Sequence, residues 1–128
     1  MRKIKRLLPF VLSLMLLSSC GARGGSGYRQ ISMDEAVKMM KDEKNYIILD
    51  VRRPEEYAQG HIPGAINVPN EEIGEKDIPE LPDKSQLILV YCRSGKRSKQ
   101  AAEKLVKLGY TGIVEFGGIL DWQGDIEQ

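Results

Sequence analysis

The chain has 128 residues, 29% of them charged and 41% hydrophobic, with 19 Lys+Arg against 18 Asp+Glu and a net charge of +1. That length suits one ordinary domain and is too short for two. Charge is nearly balanced, and beyond the basic N-terminus the cations cluster in one place instead of along a face, which argues against a nucleic-acid partner.

Arg2, Lys3, Lys5 and Arg6 precede an apolar run from Leu7 to Leu17, interrupted by Pro9 and Ser13. A basic head, a short apolar run and then small residues form the pattern of an export signal. Eleven residues of helix reach about 16 Å, well short of the ~30 Å bilayer core, so a permanent membrane-spanning helix is the weaker reading. The stretch Leu17-Ser18-Ser19-Cys20-Gly21 closes the signal. It resembles the lipobox of bacterial lipoproteins, which implies cleavage before Cys20 and lipid on its sulfur; an ordinary signal peptide with a chance cysteine is the alternative. On this reading residues 1–19 are a lipoprotein signal peptide, residues 20–27 are the lipidated Cys20 and a flexible Gly-rich tether, and residues 28–128 are the folded domain. The domain would lie outside the cytoplasm, held at a membrane by its acyl chains, of which two anchor where one is marginal.

Removing residues 1–19 takes away four cations and no acid, leaving 15 basic against 18 acidic residues and a net charge of −3. With Cys20 lipidated, Cys92 has no partner for an internal disulfide and, outside the cytoplasm, is open to oxidation. One histidine, one free cysteine and no CxxC pair offer no ligand set for a metal, and no cofactor is expected.

In chain order, Tyr28–Ile31 reads as a short strand. Ser32 and Glu35 form a capping box for a helix with Ala36, Val37, Met39 and Met40 on its apolar stripe. Tyr46–Val51 is a continuous apolar run, as a strand buried on both faces would be. Pro54 opens a short helix through Tyr57 that Gly60 stops, and Ala65–Val68 is a short strand between prolines. Asn70–Pro82 is an acidic, proline-bearing loop with one weak helical turn. Gln86–Tyr91 is a second buried strand, Ser98–Leu108 a helix with Gly109 just past its end, Gly112–Phe116 a last strand and Ile119–Gln123 a last short helix. Strands alternating with helices predict an α/β fold with a central, mostly parallel five-stranded sheet flanked by helices. Ligands of such sheets bind beyond the carboxyl ends of the strands, where Asp50 and Cys92 stand.

Cys92 is followed by Arg93-Ser94-Gly95-Lys96-Arg97-Ser98. A short glycine-bearing loop running into a helix turns backbone N–H groups inward as an anion nest. The helix N-terminus adds about half a positive charge, and Arg93, Lys96, Arg97 and Lys99 add formal charge. Together these predict a depressed Cys92 pKa; an inert core cysteine followed by a solvated basic helix start is the bland alternative.

Asp50-Val51-Arg52, Glu56-Tyr57, the run Gly60-His61-Ile62-Pro63-Gly64-Ala65-Ile66-Asn67-Val68-Pro69, Tyr91-Cys92-Arg93-Ser94-Gly95-Lys96-Arg97-Ser98, Gly117-Gly118 and Trp122 follow one another in a specific order and spacing. In this the chain, from about Tyr28 onward, resembles the rhodanese-like family of sulfurtransferases. The resemblance implies that Cys92 carries a transferable sulfur as a persulfide, with Arg93, Ser94, Gly95, Lys96, Arg97 and Ser98 as the substrate-binding loop. It implies double displacement between a small anionic donor such as thiosulfate and a thiophilic acceptor: cyanide, a thiol, or an acceptor protein. A six-residue loop from Cys92 to Arg97 fits this form; the related phosphatases have a loop one residue longer, which disfavours a phosphatase or arsenate-reducing activity. A non-catalytic persulfide carrier or sensing module at the membrane surface is the alternative of a different class.

Asp50 and Arg52 are candidates to support the loop from behind. Asp50 is read either as an acceptor of loop hydrogen bonds or as a plain turn cap, and Arg52 is expected to pair with Glu55 or Glu56. His61, the only histidine, is read as structural, because a thiolate already formed in a cationic nest needs no base. Tyr57 and Trp122 are read as core residues, and Gly117 and Gly118 as a sharp turn near the loop.

Overall fold

The computed structural model describes residues 27–128. The expected signal peptide, Cys20 and the expected tether up to residue 26 lie outside the described residues.

The fold is built around two strands, β2 (Tyr46–Asp50) and β4 (Leu87–Cys92), whose apolar runs are covered on both sides. β4 pairs with β2 on one edge and with β5 (Gly112–Gly118) on the other; β1 (Arg29–Gln30) and β3 (Ile66–Asn67) complete the sheet in the order β1-β5-β4-β2-β3. Every pairing is parallel. Alternation along the strands sorts side chains into two layers. Leu49, Ile88, Val90, Cys92 and Ile113 face α3 (Lys96–Lys107), while Ile48, Leu89, Tyr91, Val114 and Phe116 face the layer that contains Ala36 of α1 (Met33–Asp42).

The capping box forms as expected: the Glu35 N–H donates to Ser32 Oγ at 3.1 Å and the Ser32 N–H to Glu35 Oε1 at 2.9 Å. Helix α2 (Pro54–Gln59) starts on Pro54 and ends at Gly60. The acidic stretch contains the expected single helical turn, Asn70–Glu72. It is not a free loop, however, because Ile73, Ile78 and Leu81 anchor it into the α3 layer.

Most element boundaries shift by a residue or two from the sequence reading, and three of the shifts bear on the site or the sheet beside it. α3 begins at Lys96, not Ser98, because Gly95 takes a left-handed φ of 109° and turns the chain straight into the helix. The last helix shrinks to one 3-10 turn, Ile119–Asp121. β5 runs on to Gly118, with a register shift: Val90 pairs with Glu115, but Cys92 pairs with Gly118. The extra residue in β5 is a bulge, placed where the sheet meets the cysteine loop. Among the described residues no helix is long and apolar enough to cross a membrane.

Candidate active site

Because the side chains of β4 alternate, Tyr91 and Cys92 are delivered to opposite faces of the sheet, Cys92 toward the N-terminus of α3. Cys92 is 1% exposed. Its Sγ accepts the Gly95 N–H at 3.0 Å, and the N–H groups of Ser94 and Ser98 and the Ser98 hydroxyl also bear on it. Burial is the largest influence on the thiol and pushes its pKa up, but these hydrogen bonds together outweigh it and hold the pKa below the ordinary value. The direction agrees with the sequence reading, and the causes that lower the pKa are the backbone N–H donors of the nest and the Ser98 hydroxyl.

The floor under the loop is β5. Cys92 pairs with Gly118, and a Cβ on Gly118 would stand 2.0 Å from the Arg93 carbonyl oxygen. Only glycine permits that approach. The Leu120 N–H donates to the same carbonyl at 3.2 Å and pins the loop from below.

The cations divide into two kinds. Arg93, Lys96 and Lys99 are exposed around the loop, as is Ser94. Arg97 instead forms a two-pronged pair with Glu56, Nη1 to Oε1 at 2.7 Å and Nη2 to Oε2 at 3.1 Å. The Arg97 bonds, against an opposing effect of burial, lower the Glu56 pKa from 4.5 to about 2. The first turn of α3 holds no acid, so the helix dipole there stays uncompensated and favours an anion.

Asp50 and Arg52 hold each other, which corrects the expected pairing of Arg52 with Glu55 or Glu56. Arg52 Nη2 lies 2.7 Å from Asp50 Oδ2, and Arg52 Nε and its own backbone N–H reach Oδ1 at 3.0 and 2.9 Å. Arg52 sits ahead of α2, so no helical turn aims it at Glu56, and its head instead donates to the Gly60 carbonyl at 2.7 Å. Asp50 is fully buried and takes no hydrogen bond from the cysteine loop. It accepts instead from the Tyr91 hydroxyl at 2.6 Å, which itself accepts the Ile62 N–H at 3.1 Å. The cluster therefore reaches Cys92 through the neighbouring residue of β4. Burial first, then the bond to Asp50, raises the Tyr91 pKa far above its ordinary value.

His61 is buried, stacked on Tyr57 with ring centroids 3.8 Å apart, and tied by a backbone bridge to Glu127. Ser98 is fully buried; its Oγ lies 2.5 Å from Glu115 Oε2, 3.0 Å from the Gly95 carbonyl and 3.3 Å from the Gly117 carbonyl. Glu115 was not singled out from the sequence. Its one signal there is an acid inside the otherwise apolar strand GIVEFGG, where a charge on a covered face demands a partner. Among the described residues no cluster of His, Cys, Asp and Glu is arranged to hold a metal.

Residues 32–125 match the family described as the rhodanese-like domain. The chain is 45% identical over 73 residues to the thiosulfate sulfurtransferase PspE of Escherichia coli K12, covering 57% of this chain and 70% of that protein. It is 35% identical over 94 residues to a sulfurtransferase of Allochromatium vinosum, covering 73% of this chain and 86% of that one. Among solved structures it resembles the human single-domain sulfurtransferase TSTD1 with a TM-score of 0.63 at 28% identity, over 74% of this chain and 97% of that one. The family match takes in four of the five strands and the whole cysteine loop, and with it the chain belongs to the rhodanese-like family of sulfurtransferases.

Proposed function

We propose that this sulfurtransferase works by double displacement through Cys92. The Cys92 thiolate attacks the outer sulfur of thiosulfate; the sulfur–sulfur bond of the donor breaks, sulfite leaves with its electron pair, and the enzyme holds Cys92–S–S⁻. A thiophilic acceptor, cyanide or a thiolate, then attacks the outer sulfur and Cys92 leaves as thiolate. The observation that carries this reading is the cradle itself. Donors from Gly95, Ser94 and Ser98 converge on one buried sulfur at a helix N-terminus, the arrangement that stabilises negative charge on sulfur as an oxyanion hole does on oxygen. The name of the E. coli relative supports thiosulfate as the donor. Arg93, Lys96 and Lys99 draw the anion toward the loop from outside, while Arg97, held by Glu56, braces the first turn of α3. Asp50 and Arg52 position β4 from behind.

Steady-state rates with thiosulfate and cyanide varied together test the scheme. Parallel double-reciprocal lines, and no thiocyanate from Cys92→Ser, are the expected results; intersecting lines, or turnover by Cys92→Ser, contradict it.

The basic head, short apolar run and Ser18-Ser19-Cys20 support placing the domain on a membrane surface outside the cytoplasm. Palmitate labelling of the full chain, abolished by Cys20→Ala, is the expected outcome; unlabelled protein in the soluble fraction would refute the anchor.

A further inference from the structure

Around the cysteine loop, exposed cations stand beside an exposed apolar side chain. Arg93, Lys96 and Lys99 supply the charge. Leu120 is 60% exposed, the most exposed large apolar side chain among the described residues, and its N–H donates to the Arg93 carbonyl at 3.2 Å. The Lys99 N–H reaches the Gly95 carbonyl at 3.3 Å, and the Lys99 ammonium comes within 3.7 Å of the place a Cβ on Gly95 would occupy. In the stretches 93–99 and 118–122 the one acid is Asp121. Two residues past Leu120, Trp122 lines an open cleft of about 520 Å³ with Met33 and Val37. A small inorganic acceptor has a use for the cations but none for the apolar surface. Cys92 itself is 1% exposed, and a sulfur bonded to it stands only about 2 Å farther out. The nucleophile that takes that sulfur works close to these side chains.

We propose that the sulfur acceptor is a protein whose reactive cysteine is flanked by carboxylates and an apolar side chain, and that it docks on Arg93, Lys96, Lys99 and Leu120. This docking site names the acceptor within the double-displacement reading and rests on it. Charge complementarity selects an acidic partner: the exposed cations and a first turn of α3 without an acid face its carboxylates. Leu120 gives the contact an apolar point within a polar rim. Residues 28–128 hold 14 Lys+Arg against 18 Asp+Glu, so the rest of the domain repels an acidic partner and this face draws it in. In the transfer, the partner's thiolate attacks the outer sulfur of Cys92–S–S⁻. A sulfur–sulfur bond forms to the partner, the one to Cys92 breaks, and its electron pair stays on Cys92 Sγ. The partner leaves as a persulfide anion and Cys92 as a thiolate, so charge balances and no oxidant or reductant is needed.

The test discharges the protein, loaded with sulfur from thiosulfate, with synthetic cysteine peptides and with cyanide. One peptide flanks its cysteine with glutamates and a leucine; a second has lysines for the glutamates; a third has serine for the leucine. Second-order rates are divided by each peptide's thiolate fraction. At low ionic strength the acidic leucine peptide should discharge the protein about tenfold faster than the lysine peptide, and high salt should close that gap. Lys96→Gln combined with Lys99→Gln should narrow it too. The leucine peptide should also outpace the serine peptide about threefold, and Leu120→Ser should erase that preference. Equal corrected rates for all the peptides, a leucine preference that survives Leu120→Ser, or a loss in Leu120→Ser as large with cyanide as with the leucine peptide overturns the docking site. Equal peptide rates with the loaded sulfur shielded by phosphatidylglycerol vesicles would overturn it in favour of a lipid surface. A protein that loads sulfur and yields it alike to every acceptor leaves the sulfurtransferase reading standing without this site; one that never loads sulfur ends both.

Discussion

Glu56 and Asp50 are both paired with arginines near the cysteine loop, yet their surroundings give them different weights. The Glu56–Arg97 pair is partly open to water, with side chains 24% and 27% exposed, so solvent screens it and Glu56→Gln should cost only on the order of 1 kcal/mol at neutral pH. Because the folded-state pKa of Glu56 lies near 2, below its ordinary 4.5, this stabilisation is complete above about pH 4.5 and fades as pH falls toward 2. Urea midpoints of wild type and Glu56→Gln should therefore differ at pH 7 and converge in acid. A difference that grows in acid would reverse the assignment. Asp50 is fully buried with Arg52 and Tyr91. Asp50→Asn strands the arginine charge and should cost about 3–5 kcal/mol, measurable by denaturant unfolding with Trp122 fluorescence as the probe; a loss below that of Glu56→Gln would show the cluster to be more hydrated than its burial indicates.

At the scale of elements, the site depends on how closely β5 approaches the loop. Gly118→Ala puts a methyl group into the Arg93 carbonyl, so the loop must move. Alkylation of Cys92 at neutral pH should then fall by an order of magnitude or more, as donors leave the sulfur. Ser32→Ala, which removes the α1 cap far along the chain from the loop, should cost about 1 kcal/mol and leave alkylation unchanged. Equal effects of the two on alkylation would mean that Gly118→Ala acts through global stability. Strands β2 and β4 were legible because apolar runs of five or six residues between turn signals have few other readings. The cap on Ser32 and the stop at Gly60 were legible because they are local. The bulge in β5 was not, since it comes from the mismatch between two strands that only the sheet brings together. Arg52 was misassigned for a related reason: Glu55 and Glu56 follow it closely in the chain, whereas burial turned it back onto Asp50.

At the scale of the whole molecule, the chain left by the proposed signal cleavage, residues 20–128, carries a net charge of −3, while Arg93, Lys96 and Lys99 stand exposed around the loop. An anionic donor is therefore guided by a local field that opposes the global one. Salt screens that field over about 10 Å at 0.1 M, so kcat/KM for thiosulfate should fall several-fold between low and high ionic strength. Lys96→Gln and Lys99→Gln should flatten the dependence, and a salt-independent rate would remove those cations from donor capture. The fold class and the place of the cysteine loop were readable from strand–helix alternation and from the charge around Cys92. Glu115 was not, because its partner Ser98 lies in another element and nothing near it in the chain reveals the pairing. The central claim is that Cys92 itself carries the sulfur. Intact-protein mass spectrometry after incubation with thiosulfate tests it directly. The account predicts a gain of one sulfur atom that is lost on adding cyanide and never forms in Cys92→Ser. Sulfur retained by Cys92→Ser, or none gained by a folded wild-type chain, would contradict it.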